Sequence, residues 1–233
     1  MLRDAWVVDV RAPELRQLAV CTALTRQGHG EPASCEPTDP SVLAQQLARV
    51  AAEPSLRAVK LGMIPSAAVP AVIELLVQLR ARPVEQRERV WVVADPVVLA
   101  SDGGQLGASL EELLEISRRA DLLTPNLSER EALEQVGTLE HVNVLFKGEA
   151  VEGRPDRVCD RLVSPNGSEL AFERPRLSGP DPRGTGCALA TAIACELARG
   201  RSMVTAVAAG IAWLDGARRR LKVGPDGRWH LDL

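Results

Sequence analysis

Short apolar segments alternate with longer amphipathic segments along most of the chain. The short segments are rich in leucine and β-branched residues, which is typical of strands buried on both faces of a sheet. Predicted strands occupy residues 5–10, 18–24, 58–62, 90–95, 121–124 and 143–148. The spacing of apolar residues predicts helices near 41–53, 66–81, 109–118 and 128–136, the first capped by Asp39 or Ser41. This order predicts right-handed βαβ crossovers and an α/β fold with a mostly parallel sheet.

The pattern changes in the last third of the chain. Two apolar segments within residues 158–172 flank the sequence SPNGS, whose Asn166-Gly167 pair favours a hairpin turn. Two helices follow, roughly at 186–199 and 202–220. No linker, repeat or low-complexity tract interrupts the pattern, and we therefore expect residues 1–233 to form a single domain.

Composition and charge narrow the functional class. Of the 233 residues, 45% are hydrophobic and 25% are charged, as in an ordinary soluble domain. A net charge of -3 offers no electrostatic footprint for nucleic acid or an anionic membrane, and no apolar run approaches a membrane span. The five cysteines show neither CxxC nor zinc spacing, and charges occur too early for a secretory signal. These features predict a cytoplasmic protein.

Arginine greatly outnumbers lysine among the 28 residues of these two types. Of the 28, only Lys60, Lys147 and Lys222 are lysines. A compact ammonium suits some sites better than a planar guanidinium, so these positions are candidates for a specific role. Chance is the alternative explanation, and we prefer it for Lys222.

Polar residues or glycines follow four of the predicted strands. They are Gly62-Met63, Asp95-Pro96, 124–126 and Lys147-Gly148. The carboxyl ends of parallel strands meet at one edge of a sheet, which is where ligands of open α/β sheets bind. We therefore expect these residues to line one functional site.

The loop PRGTGC at residues 182–187 precedes a predicted helix. Gly184 and Gly186 allow backbone amides to converge there, and the unpaired N–H groups and helix dipole favour an anion such as a transferring phosphoryl group. The same dipole favours the thiolate of Cys187. Alternatively, the glycines only make the turn and the cysteine only packs against the sheet. The loop is not a Walker A motif, because no Gly-Lys-Ser/Thr sequence follows.

Four other residues have both a functional and a structural interpretation. Asn126 and Glu129 lie three positions apart at a strand-to-helix junction, a spacing that suits magnesium and equally a helix capping box. Asp95, at a strand end, is suited to orient magnesium or hold water. Lys147 either supplies a point charge to phosphates or lies in solvent.

Two residues suit a heterocyclic ligand. The amide of Gln27, after a predicted strand, can read the donor–acceptor edge of a heterocycle. Met63, after Gly62, is suited to form an apolar wall of a pocket, or it belongs to the core.

The chain resembles one family through a series of segments in the same order: TALTRQ, VKLGM, VVADPVV, LLTPNLSEREAL, LFKG, RGTGCALATAIA, WLDGA and the Gly-Pro at 224–225. The family is the hydroxymethylpyrimidine and phosphomethylpyrimidine kinases of thiamine biosynthesis. The resemblance runs from about residue 18 to the C-terminus. It implies a ribokinase-like three-layer sandwich, with a mostly parallel central sheet flanked by helices, and transfer of the ATP γ-phosphoryl group.

The resemblance also implies roles for individual residues. Cys187 matches the catalytic cysteine. The anion hole would comprise Gly184, Thr185 and Gly186. Asn126 and Glu129 match the family's magnesium-linked pair, and Lys147 and Asp95 match residues near the nucleotide phosphates.

On the substrate side, the resemblance places Gln27, Met63 and Val97 against the pyrimidine. The acceptor would be hydroxymethylpyrimidine or its monophosphate, the cofactors ATP and Mg²⁺, and the assembly a homodimer. Two alternatives stay open, namely a pyridoxal or pyridoxine kinase and a non-catalytic paralogue that binds a nucleotide or pyrimidine.

Two departures from the family pattern are visible. The segment before residue 18 lacks the Gly- and Ser-rich stretch that closes around the pyrimidine, so we expect a shortened substrate segment. In addition, Arg183 stands where a histidine usually precedes the Gly-Thr-Gly-Cys turn. The part of the site that transfers phosphoryl groups is expected to be intact.

Overall fold

The computed structural model describes residues 15–26, 34–82, 89–97, 107–180, 182, 184–224, 227 and 229–232. The strand predicted at 5–10 lies outside these residues, as do Gln27 and Arg183.

A six-stranded sheet forms the centre of the molecule. Its strands, in spatial order, are β3 (Ala58–Leu61), β4 (Trp91–Ala94), β5 (Leu122–Leu123), β6 (Asn143–Val151), β7 (Arg154–Val163) and β8 (Glu169–Pro175). The first four run parallel, and β7 and β8 continue the sheet as an antiparallel meander. The prediction of a mostly parallel sheet followed by a hairpin is therefore confirmed. The β7–β8 turn uses the predicted Asn-Gly pair, with Gly167 in the left-handed region at a φ of 79°.

Helices cover both faces of the sheet. They are α1 (Pro40–Ala51), α2 (Val69–Arg80), α3 (Leu110–Ser117), α4 (Leu127–Val136), α5 (Thr185–Ala198) and α6 (Met203–Arg218). The first four pack into one hydrophobic core and the last two into another, on the opposite face. The result is a three-layer sandwich, and each helix lies within two or three residues of its predicted bounds. Among the described residues, no helix combines the length and apolar character that a membrane span requires.

The strands are apolar without alternation because successive side chains enter different cores. Val92 packs into the core of α1–α4, whereas its neighbour Val93 packs into that of α5 and α6. Leu123 and Leu122 divide in the same way. Side chains of a strand alternate between faces, so a strand covered on both sides needs an apolar residue at every position.

Residues 18–24 differ from the prediction. Of this segment, only Ala23 and Leu24 lie in a strand. That strand, β1 (Ala23–Arg26), pairs antiparallel with β2 (Ser34–Pro37) in a separate two-stranded sheet. Leu24 is 64% exposed there, so its apolar character did not signal a strand of the central sheet. A second small sheet pairs β9 (Leu221–Val223) with β10 (Trp229–Leu231).

Candidate active site

Four parallel strands carry polar side chains to the sheet face beneath α5. These side chains are Lys60, Asp95, Thr124 and Lys147, on or just after β3, β4, β5 and β6. Asp95, Thr124 and Lys147 each lie two positions beyond a residue of the α5–α6 core, so the period of two in a strand directs them to this face. The prediction that strand ends converge on one site therefore holds for Asp95, Thr124 and Lys147.

Helix α5 begins directly above this group with its first turn open. Gly184 precedes it in the left-handed conformation, at a φ of 80°, and no side chain caps the helix. The early N–H groups of a helix have no intrahelical partner, so this end presents backbone donors. A Cβ atom at Gly186 would stand 3.3 Å from Lys147 Nζ and 3.8 Å from Asp95 Oδ1. A glycine in the first turn of α5 therefore allows the backbone to approach the charged groups closely.

Asp95 is the centre of the site and is only 4% exposed. Its Oδ1 accepts a hydrogen bond from Thr124 Oγ1 at 3.0 Å and lies 3.5 Å from Lys147 Nζ. Its Oδ2 accepts from Cys187 Sγ at 2.9 Å and lies 3.9 Å from Lys60 Nζ. Burial alone would raise the pKa of Asp95, but the ammonium groups of Lys147 and Lys60 and the hydrogen bonds from Cys187 and Thr124 together hold the pKa below its ordinary value.

Cys187 lies in the first turn of α5, as predicted, but the thiol form is favoured in this site. Burial, followed by the negative charge of Asp95, raises the pKa of Cys187 to about 11. The nearby ammonium of Lys60 opposes this shift without cancelling it. The pKa of Cys187 is therefore raised in the ligand-free site, where the sequence predicted a lowered one, because burial and the negative charge of Asp95 both disfavour the thiolate.

Asn126 and Glu129 form a reciprocal capping box at the start of α4. Asn126 Oδ1 accepts from the Glu129 N–H at 2.9 Å, and Glu129 Oε2 accepts from the Asn126 N–H at 2.8 Å. Burial raises the pKa of Glu129 against that hydrogen bond, and repulsion from Asp95 adds to the rise. Of the two interpretations of the spacing, capping is the one realised without ligand.

The same pair also fits Mg²⁺ as the sequence predicted. Amide and carboxylate oxygens are hard donors, and a divalent cation near Glu129 would relieve its repulsion from Asp95. Within the described ranges, no three His, Cys, Asp or Glu side chains are placed to share a metal ion. The donor set therefore suits a cation that keeps most of its waters.

The residues expected to touch the substrate flank β3 and β4. Met63 is partly buried after β3, and its carbonyl oxygen accepts from Thr22 Oγ1 at 2.9 Å. Val97 is partly buried after β4, where its N–H donates to the Asp95 carbonyl at 2.9 Å. Gln27 lies outside the described residues. The described residues that are expected to touch the substrate thus follow β3 and β4, the first two strands of the central sheet.

Sequence reasoning left three residues of this region without a defined role: Lys60 and Thr124 were only expected to serve or line the site, and Asp160 was not singled out. Lys60 and Thr124 contact Asp95 directly, and the scarcity of lysine was the signal that pointed to Lys60. Asp160 on β7 is 1% exposed, and its Oδ1 accepts from the Gly148 N–H at 2.7 Å. It also pairs with Arg174 at 3.0 Å, which anchors the backbone beside Lys147. Its signal was its position between Val158 and Leu162, which are the buried residues at alternate positions of β7.

Comparison with known proteins supports the predicted family. A model of the phosphomethylpyrimidine kinase family matches residues 10–230. The chain is 32% identical over 221 residues to the thiamine biosynthetic bifunctional enzyme TH1 of Arabidopsis thaliana, covering 85% of this chain and 40% of that protein. It is 27% identical over 210 residues to the hydroxymethylpyrimidine/phosphomethylpyrimidine kinase of Aquifex aeolicus, covering 82% and 78%. The chain thus spans less than half the length of the Arabidopsis relative.

The fold has close counterparts among solved structures. The pyridoxal kinase of Staphylococcus aureus in complex with AMP-PCP and pyridoxal superimposes with a TM-score of 0.70 at 20% identity, over 91% of this chain and 80% of that one. This likeness confirms the ribokinase-like sandwich. The family model covers nearly the whole sequence, and the chain belongs to the phosphomethylpyrimidine kinase family.

Proposed function

We propose that the protein transfers the γ-phosphoryl group of ATP to hydroxymethylpyrimidine or its monophosphate. The observation that carries this proposal is the open first turn of α5 above Lys147 and Asp95. Backbone donors and an ammonium group in one partly buried place suit the charge of a transferring phosphoryl group. The names of the family and of the Aquifex relative support the pyrimidine acceptor.

On the donor side, Lys147 and the amides of residues 184–187 bind and orient the γ-phosphate. Because Lys147 Nζ already lies beneath Gly186, a phosphate at the helix terminus contacts both. Asn126 and Glu129 would hold Mg²⁺ through its waters, and that ion neutralises charge on the β- and γ-phosphates when bound. These residues thus place the phosphorus atom next to Cys187.

On the acceptor side, Cys187 relays the proton of the substrate hydroxyl, because Sγ accepts that proton as it passes its own to the Asp95 carboxylate. Its Sγ already donates to Asp95 Oδ2, so the thiol and carboxylate act as a hydrogen-bonded pair beside the reacting oxygen. Oxygen attack on the γ-phosphorus breaks the bond to the β–γ bridging oxygen, which leaves with the electron pair as ADP. Met63 and Val97 supply apolar contacts for the pyrimidine.

The test is ADP release with Mg·ATP and a panel of hydroxymethylpyrimidine, its monophosphate, pyridoxal and pyridoxine. We expect turnover of the two pyrimidines above the background of Cys187→Ala. Preferential turnover of pyridoxal or pyridoxine would instead support the activity that the Staphylococcus aureus enzyme's name describes. Turnover of none of the four would contradict a kinase, and calorimetry with ATP would then detect a nucleotide-binding paralogue.

We further propose a homodimer. Leu18 and Leu24 are 49% and 64% exposed, on either side of Thr22, whose hydroxyl donates to the Met63 carbonyl. Burying such apolar side chains against a second copy is favourable. Sedimentation analysis should give twice the mass of the chain, and Leu24→Glu should shift it toward the monomer. A wild-type mass of one chain would contradict the proposal.

We also propose a reducing, cytoplasmic location. The five cysteines form no disulfide with one another. A reducing compartment keeps such thiols reduced. Imaging of the tagged full-length protein in its own cell would test this, and secretion into an oxidising compartment would contradict it.

A further inference from the structure

Lys60 places a second ammonium group in the site, in addition to Lys147. Its side chain is 18% exposed, and its Nζ lies 3.9 Å from Asp95 Oδ2 and beside the Cys187 thiol. No step of the proposed phosphoryl transfer uses Lys60. The chain uses lysine at only three positions, so two of its three ammonium groups meet at one carboxylate.

The two ammonium groups lie on opposite sides of Asp95. Lys147 contacts Oδ1, together with Thr124, whereas Lys60 is nearest Oδ2, together with Cys187. The strand order explains this division. Lys60 comes from β3 on one side of β4, whereas Thr124 and Lys147 come from β5 and β6 on the other. Lys60 therefore lies on the side of the acceptor and Lys147 on the side of the nucleotide.

A glycine provides the space for this ammonium group. Gly62 follows Lys60 on the same face of the sheet, and a Cβ atom there would stand 2.7 Å from Lys60 Nζ. Any side chain at position 62 would displace the lysine head from Asp95 and Cys187. The sequence Lys-Leu-Gly thus allows a long side chain to reach forward over the backbone to the site.

The charge of the acceptor distinguishes the two substrates of the proposed function. Hydroxymethylpyrimidine is neutral at the reacting hydroxyl, whereas its monophosphate brings nearly two negative charges at neutral pH. These charges must lie near Asp95 and the triphosphate, where an unpaired anion is strongly unfavourable. Lys147 and Mg²⁺ already serve the nucleotide. Among the described residues of the site, Lys60 is the ammonium group on the acceptor side that does not serve the nucleotide.

We propose that Lys60 is the residue that binds the phosphate of a monophosphate acceptor and so permits the second of two successive phosphorylations. This inference rests on the proposed function. In that step a phosphate oxygen of the acceptor attacks the γ-phosphorus, the bond to the β–γ bridging oxygen breaks, and ADP leaves with the electron pair. The acceptor is a dianion, so no proton has to be removed.

The test compares Lys60→Met with wild type on both pyrimidine acceptors. We expect the KM for the monophosphate to rise by about tenfold or more, with the KM for the alcohol and for ATP within about twofold. Lys60→Arg should restore part of the loss because it restores the charge. Lys222→Met is the matched control, since Lys222 pairs with Asp232 on the surface.

Equal effects of Lys60→Met on both acceptors, or no effect on either, would overturn the inference and leave the kinase activity standing. Wild-type inactivity on both acceptors would instead overturn the proposed function. In that case, calorimetry with the monophosphate tests the role of Lys60 in binding independently of catalysis. Binding weakened about tenfold or more in Lys60→Met supports the inference, whereas equal binding or none in the wild type overturns it. Thermal melting of both lysine variants verifies that they are folded.

Discussion

The N-termini of α4 and α5 border the same site but end in opposite ways. At α4, the side chains of Asn126 and Glu129 pair with backbone N–H groups in both directions. At α5, a left-handed Gly184 leads into a first turn without a side-chain cap. The first end satisfies its own donors, whereas the second leaves donors that an anion can accept.

The two helix ends contribute differently to stability and to function. A capped helix end lowers the free energy of the folded protein without any ligand. An open end above two ammonium groups contributes little to the free energy of unfolding until a phosphate binds there. We therefore expect substitutions at α5 to reduce activity more than stability, and substitutions at α4 to do the reverse.

The largest effect is expected for Cys187→Ala at the open end. Loss of the proton acceptor should lower kcat for the alcohol by roughly 10²–10⁴-fold, the usual contribution of a general base. Stopped or coupled assays of ADP release measure it. Cys195→Ala, two turns further along α5 and buried, is the control that should retain kcat. Full activity of Cys187→Ala would contradict a functional role for the open end of α5.

Lys147→Met should have the next largest effect. Removing one preorganised donor from a developing phosphoryl charge costs roughly 10²–10³-fold in rate. The loss should occur with both pyrimidine acceptors, because Lys147 serves the nucleotide. Lys222→Met should leave the same kinetics unchanged. A loss confined to one acceptor would contradict the assignment of Lys147 to the donor side.

Alkylation of Cys187 provides a pH test of the same end. A pKa of about 11 leaves the sulfur almost entirely protonated at pH 8, so the thiolate is roughly two orders of magnitude scarcer than in a free thiol. The rate of iodoacetamide labelling, followed by peptide mass spectrometry, should therefore keep rising up to about pH 11. N-acetylcysteine labelled in parallel should level off earlier. A plateau for Cys187 below pH 9 would contradict the thiol form.

The smallest effect is expected at the closed end. Asn126→Ala should lower the free energy of unfolding by about 1 kcal/mol, because the cap is lost. Denaturant melts measure this change. Asn126→Ser should restore most of the stability, since serine also caps helices.

The magnesium dependence of Asn126→Ser sharpens the comparison further. If Asn126 also serves Mg²⁺, this variant is stable but needs more magnesium for half-maximal activity. An unchanged magnesium requirement would assign Asn126 to capping alone.

The sequence predicted the layers of the fold well because each strand is buried on both faces. Continuous apolar segments such as residues 90–95 identify such strands, and the helices between them follow from period and caps. Residues 18–24 misled for a related reason. An apolar segment has the same composition whether it enters a central sheet or, like Leu24, remains largely exposed.

The candidate site was predictable only in part. Strand ends and the glycine loop brought together Asp95, Lys147 and Cys187 in advance. The spacing of Asn126 and Glu129 cannot separate capping from metal binding, because both use the same geometry. Lys60 lies inside a predicted strand, and its reach past Gly62 to Asp95 depends on how two strands are aligned. The protonation of Cys187 likewise depends on a carboxylate 92 positions away.

The two contacts of Asp95 with lysine have a consequence for selectivity among anions. In the resting protein the cationic heads already have a carboxylate partner, so an incoming anion must take them over from an internal competitor. Chloride carries one charge on one atom, so it cannot replace the Asp95 carboxylate at both positions at once. A polyphosphate contacts several donors at once. Competition from Asp95 therefore favours the binding of a polyphosphate over that of the abundant chloride.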